Sequence, residues 1–251
     1  MQTKNMTNSR PLGANPHLTA HSLAGAATRE ASLDTILAAD MAIAPLQSRD
    51  EEYVNAALHA LGLLLALVGG SWLVLHTLQG DDATKTGSAA AFVLTLILLY
   101  TASTLYHAFP PGPTKERWQR LDRGAIALLI AGTYTPIGLL MVGGTTGSLL
   151  CALEWAAAFM VVVLIARGPR FAQRSAWVYQ AMGWLTALGG PAFLRNTPHS
   201  ILLALGLGGL CYMAGILFLI RDRTKYFHAA FHVLVLAGSI CQFWAIARFL
   251  R

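Results

Sequence analysis

Residues 54–77 read VNAALHALGLLLALVGGSWLVLHT, twenty-four positions without one Asp, Glu, Lys or Arg. A helix of that length rises about 36 Å, enough to cross a hydrocarbon core of roughly 30 Å. Backbone groups in lipid must be satisfied within their own segment, so the block reads as a helix rather than a loop. Six more apolar blocks follow, at 88–109, 121–142, 148–167, 175–194, 200–220 and 226–248. The connections between them, such as Gln79–Gly87, Pro110–Arg120 and Gly143–Gly147, are short and carry Gly, Pro or Asp, as turns do.

The composition agrees with that pattern. Of 251 residues 55% are hydrophobic and 12% charged, where a soluble domain carries about a quarter charged residues; the mean hydropathy is +0.52. The expected fold is all-α: a seven-transmembrane helix bundle over 51–251, integral and multi-pass, in contact with membrane lipids. Gly132–Thr133–Tyr134–Thr135–Pro136, inside the third block, is expected to kink or thin that span.

The net charge is +6, and its distribution sets the orientation. On one side of the expected bundle stand Arg49, Lys115, Arg117, Arg120, Arg123, Arg167, Arg170, Arg174, Arg221, Arg223 and Lys225. The other side has only Lys85, Arg195, Arg248 and Arg251. The basic side is cytosolic, which places the amino terminus inside and the carboxyl terminus outside. No basic helix or stacking surface accompanies the charge, so a nucleic-acid partner is not expected. Cys151, Cys211 and Cys241 lie in apolar blocks without CxxC spacing and imply no disulfide framework.

Residues 1–50 differ from the rest: they are rich in Ser, Thr, Asn and Ala and contain no long apolar run. Without a signal-peptide core, they read as a disordered polar tail on the cytosolic side. Leu33, Ile36, Leu37 and Met41 form the one apolar face there that could lie on a membrane.

Ionisable groups within spans are costly and therefore candidates for function. Glu52, Asn55 and His59 open the first span at i, i+3 and i+7, on one helical face. Ser103 and His107 close the second, Asp122 opens the third, and His228 and His232 open the seventh. All of these fall on the cytosolic side. His17 and His21 are in the tail, and His76 and His199 lie near outer ends. His228 and His232, four apart, project together and can share one metal ion with His107. Three imidazoles leave a coordination position open, as in catalytic zinc sites. Asp122 is the natural partner of a water there, and Ser103 a donor to a carbonyl or to that water. Glu52 doubles as an interfacial residue beside Asp50 and Glu51, and Asn55 and His59 as hydrogen-bonding glue between helices. Glu154, near the outer end of the fourth block, reads as a snorkelling interfacial carboxylate.

Taken together, Glu52–Tyr53–Val54–Asn55–Ala56–Ala57–Leu58–His59, Ser103–Thr104–Leu105–Tyr106–His107, Leu121–Asp122, Ala131–Gly132–Thr133–Tyr134–Thr135–Pro136 and His228–Ala229–Ala230–Phe231–His232 resemble the hemolysin III family. That family is the bacterial branch of the progestin and adiponectin receptor group and is related to alkaline ceramidases. The resemblance covers about 51–251 and implies seven helices, a cytosolic amino terminus in the bacterial cell membrane, and Zn²⁺ on His107, His228 and His232, with Asp122 and Ser103 beside it. Arg123 departs from the histidine that bacterial members often carry after the aspartate. The implied activity is metal-dependent hydrolysis of a lipid amide or ester. A non-catalytic sensor with structural zinc and a pore-forming cytolysin are the two other readings.

Overall fold

Ser48 starts the first helix by local chemistry. Its hydroxyl accepts from the Glu51 N–H, and the Glu51 carboxylate accepts from the Ser48 N–H and hydroxyl, a reciprocal arrangement that satisfies donors otherwise orphaned at a helix start. Helix α1 then runs over Arg49–Thr77, longer than the apolar block because its first turn lies in capped, polar sequence. The computed structural model of the chain describes residues 47–168 and 175–251. The tail face at Leu33, Ile36, Leu37 and Met41 lies outside the described residues.

Asp82 caps α2 (Ala83–Ala108) by accepting from the Thr84 and Lys85 N–H groups. Pro113, whose missing N–H costs nothing in a first turn, opens α3 (Pro113–Pro136). The expected irregularity follows Pro136 directly: Ile137–Val142 form a π-helical turn, closed by the Gly143 N–H donating to the Gly138 carbonyl at 2.9 Å. A proline inside a helix removes one donor and crowds the preceding turn, and widening the next turn is one way to absorb that. Helix α4 spans Gly144–Arg167.

The fifth apolar block is the one that does not form a single helix. It divides into α5 (Ser175–Trp184), a 3₁₀ stretch (Leu185–Gly189) and α6 (Gly190–Asn196). Gly190 has φ +51, a left-handed conformation suited to glycine, and Pro191 follows in the first turn of α6. Helices α7 (His199–Leu219) and α8 (Phe227–Leu250) complete the chain. Among the described residues there is no strand. Among the described residues, six helices are long and apolar enough to cross a membrane: α1, α2, α3 with its π turn, α4, α7 and α8. The chain is therefore an integral, multi-pass membrane protein.

Helices α1 to α4 pack in chain order, α7 packs on α8, and α8 returns to α1, which brings the two ends of the helical region together. Small residues permit the closest crossings, as expected where helices associate by packing. A Cβ on Gly62 of α1 would lie 2.3 Å from Cε1 of Tyr100 on α2, and one on Gly147 of α4 would lie 1.9 Å from the Gly138 carbonyl oxygen. Tyr100, Phe92, Leu73 and Ile246 are buried in the main core. The three cysteines are free thiols.

Candidate metal centre

His107 lies in the last turn of α2, while His228 and His232 occupy the first two turns of α8. The packing of α8 beside α1 and α2 brings the three side chains together, and one nitrogen from each lies within 4.8 Å of the others. His107 Nε2 and His232 Nε2 are 3.0 Å apart. The rings of His228 and His232 cross nearly at right angles with centroids 4.6 Å apart. His107 and His232 are buried, at 3% and 2% exposure. The Nδ1 atoms of His228 and His232 have no hydrogen-bond partner, and the Asp222 carboxylate stands 4.0 Å from His228 Nδ1, beyond hydrogen-bond range. Burial raises the Asp222 carboxyl above its ordinary range, with Arg223 and Arg123 pulling it back.

Three nearly dry imidazoles with converging nitrogens suit a borderline divalent ion such as Zn²⁺. A structural packing cluster would instead close each nitrogen on a carbonyl or carboxylate. The donor set fits a metal.

Asp122 is half-buried on α3 and lines a cavity of about 190 Å³ together with His59 and His232. Ser103 is fully buried within electrostatic reach of Asp122 but makes no hydrogen bond of good geometry. The rest of the lining is mainly apolar and comes from α2, α3, α5, α7 and α8, including Leu99, Leu129, Met213 and Val235. A second cavity of about 710 Å³ reaches Phe193 and Leu202. Trp184, Tyr212 and Met213 line both.

Several residues stand differently from their sequence reading. His59 does not link helices by hydrogen bonds: neither ring nitrogen has a partner. Its ring instead lies 3.8 Å from that of His232 and edge-on to Tyr100 at 5.1 Å. Asn55 donates to the nearby Gln47 side chain, not to another helix, and its Oδ1 is unpartnered. Glu154 is no snorkelling carboxylate: it is 0% exposed with both oxygens unpartnered, about 15 Å along α4 from its start.

Contacts that sequence reasoning missed lie at the start of α1. Glu52 Oε2 is 2.7 Å from His107 Nδ1, and Glu52 Oε1 is 2.9 Å from Lys115 Nζ. Glu51 Oε1 accepts from the Tyr226 N–H at 2.8 Å. Of the acidic run, Asp50 alone is exposed and unengaged in this cluster. The signal was the shared helical face of Glu52, Asn55 and His59, but nothing in the spacing named His107 as the partner.

Comparison with known proteins bears on residues 47–243, which match a family model described as haemolysin-III related. The hemolysin-3 homolog of Bacillus subtilis (strain 168) is 34% identical over 197 residues, covering 78% of this chain and 92% of that protein. The hemolysin-3 of Bacillus cereus is 32% identical over 198 residues, covering 78% and 90% respectively.

Proposed function

The chain belongs to the haemolysin-III-related family, and from that premise we propose that it is a zinc-dependent hydrolase of lipid amides or esters. The observation that carries the reading is the convergence of three imidazoles, within 4.8 Å of one another, one of which, His232, lines an apolar cavity together with Asp122. An apolar cavity with a few polar groups at one end is the usual form of a small-molecule site, and in a membrane its natural occupant is a lipid chain.

In this reading α5, the 3₁₀ stretch and α6 together make the seventh crossing. Their twenty-two residues from Ser175 to Asn196 reach about 33 Å at helical rise. Broken backbone at membrane depth is tolerated where it lines a cavity, and Gly183 and Gly190 line the larger one. Seven crossings put the termini on opposite sides, and the excess of Lys and Arg puts the amino terminus and the histidine site in the cytosolic half of a bacterial inner membrane.

His107, His228 and His232 would hold the ion, and Zn²⁺ held there supplies Lewis acidity toward a carbonyl and makes a water acidic near neutral pH. Asp122 takes the proton from the attacking water and returns it to the leaving amine or alcohol. Ser103 donates to the scissile carbonyl oxygen. The apolar walls fix the acyl chain and exclude bulk water.

Elemental analysis of the purified protein tests the site, with one metal ion per chain expected and none after His228→Ala with His232→Ala. Incubation with a lipid amide and ester panel tests the reaction. Unchanged zinc and unchanged hydrolysis in His107→Ala would overturn the reading.

A further inference from the structure

We propose that the adjacent carboxylates of Glu51 and Glu52 are positioning residues that hold the two halves of the histidine site in register from the amino end of α1. The proposal rests on the metal-centre reading above. The halves are separate in the chain: His107 belongs to α2, and His228 and His232 to α8. Glu52 reaches the first and Glu51 the second.

Glu52 accepts from His107 Nδ1 at 2.7 Å. A proton held at Nδ1 leaves the Nε2 lone pair free, and Nε2 is the atom that faces His232 at 3.0 Å. A carboxylate behind a ligand histidine fixes its tautomer and ring orientation and makes it a stronger donor to metal. Glu52 is itself held. Lys115 Nζ binds its other oxygen at 2.9 Å and also donates to the carbonyls of Tyr106 at 2.8 Å and Phe109 at 3.2 Å, so one ammonium ties the end of α2, the loop after it and the carboxylate together. The Glu52 and Lys115 side chains are 21% and 13% exposed, which limits screening by water and salt.

Glu51 works on backbone. Its Oε2 is engaged by Ser48 in the α1 cap, and its Oε1 accepts from the Tyr226 N–H. Tyr226 is the residue before α8, and its own carbonyl accepts from the Ala230 N–H at 2.9 Å. The carboxylate therefore sits at the amino end of α8, where the helix dipole favours it, two residues before His228. It fixes where α8 begins and hence the height at which His228 and His232 present their rings.

Full-length protein in nanodiscs tests this with Zn²⁺ alone as the probe, its affinity read by competition with a chromophoric chelator. Glu52→Gln is expected to weaken Zn²⁺ binding by about 10–100-fold and to alter the absorption spectrum of bound Co²⁺. Melting of the metal-free protein is expected to stay unchanged; a merely structural role would lower that melting and spare the affinity of the folded protein. Glu51→Gln leaves one acceptor oxygen for the two N–H groups of Ser48 and Tyr226 and is expected to bind Zn²⁺ more weakly than the parent, and Glu51→Ala, which keeps neither contact, more weakly still. Should Glu52→Gln not fold, Lys115→Met removes the second anchor and is expected to cost about threefold or more. A folded Glu52→Gln protein, or failing that Lys115→Met, with parental Zn²⁺ affinity overturns the proposal alone. A parent that binds no Zn²⁺ overturns the metal-centre reading and this proposal with it.

Discussion

His107 Nε2 and His232 Nε2 face each other at 3.0 Å, one from the second helix and the other from the last. Each ring is almost completely buried. Removing either leaves the other's nitrogen in a dry pocket without its neighbour, which costs about 1–3 kcal/mol for a buried polar atom. His232→Ala is therefore expected to lose the bound ion and to lower the melting temperature of the purified protein. Zinc content and calorimetry on the same sample check both effects, and addition of a chelator to the parent is expected to reproduce the fall in melting temperature.

The proposed function gives Asp122 a part in turnover and none in holding the ion. It lines the cavity with His232 but is not one of the three residues whose ligand atoms converge. Asp122→Asn is expected to retain close to one zinc per chain while lipid hydrolysis falls by about 10²-fold or more. Loss of zinc in this variant would move Asp122 from proton transfer to holding the ion.

Gly62 is set against the face of Tyr100, and a Cβ there would lie 2.3 Å from Cε1. Tyr100 is 1% exposed and has no space to withdraw. Gly62→Ala is expected to destabilise the protein by about 1–3 kcal/mol, read as a lower melting temperature. Because Tyr100 packs edge-on to His59, the same change should alter the histidine ring signals in a selectively labelled sample.

Tyr226 adopts φ 63, the one left-handed non-glycine residue among those described. That conformation costs roughly 1–2 kcal/mol for a residue with a Cβ. Tyr226→Gly removes the strain and keeps the N–H that Glu51 accepts, so equal or higher thermal stability is expected. Tyr226→Pro deletes the N–H and forbids the φ, and is expected to be destabilised and weaker in Zn²⁺ binding.

Glu154 gives a contrasting expectation. A carboxylate with no partner in a fully buried position adds nothing to stability unless something neutralises it. Glu154→Gln is expected to be at least as stable as the parent in thermal melts, while Glu154→Lys, with a larger charged group in the same space, is expected not to accumulate in the membrane.

The helices were legible because lipid imposes one simple rule, a long apolar block, and because α2, α4, α7 and α8 end within a few residues of those blocks. Where helices run on into polar sequence, as α1 does from Arg49 and α3 from Pro113, hydropathy stops short and caps decide. The break after Trp184 was not legible from block length, although Gly189–Gly190–Pro191 carried the backbone reason for it. At the site, sidedness alone grouped His107, Asp122, His228 and His232. It could not show that Glu52 engages His107 across 55 positions, or that Glu51 reaches Tyr226 across 175; the first depends on how α1 packs on α2, the second on the return of α8 to α1. The depth of Glu154 escaped for a related reason, since a span seen as a string has no inside.

The return of α8 to α1 also sets a clock. A chain is made and inserted from its amino terminus, with earlier parts folding first, and His107 is in place long before His232, 125 positions later. No shortened product that lacks Phe227–Leu250 can form the three-histidine group, however well its earlier helices insert. Under the proposed metal-centre reading, capture of an ion would mark a finished molecule, and zinc content in a membrane preparation would count complete chains rather than chains begun.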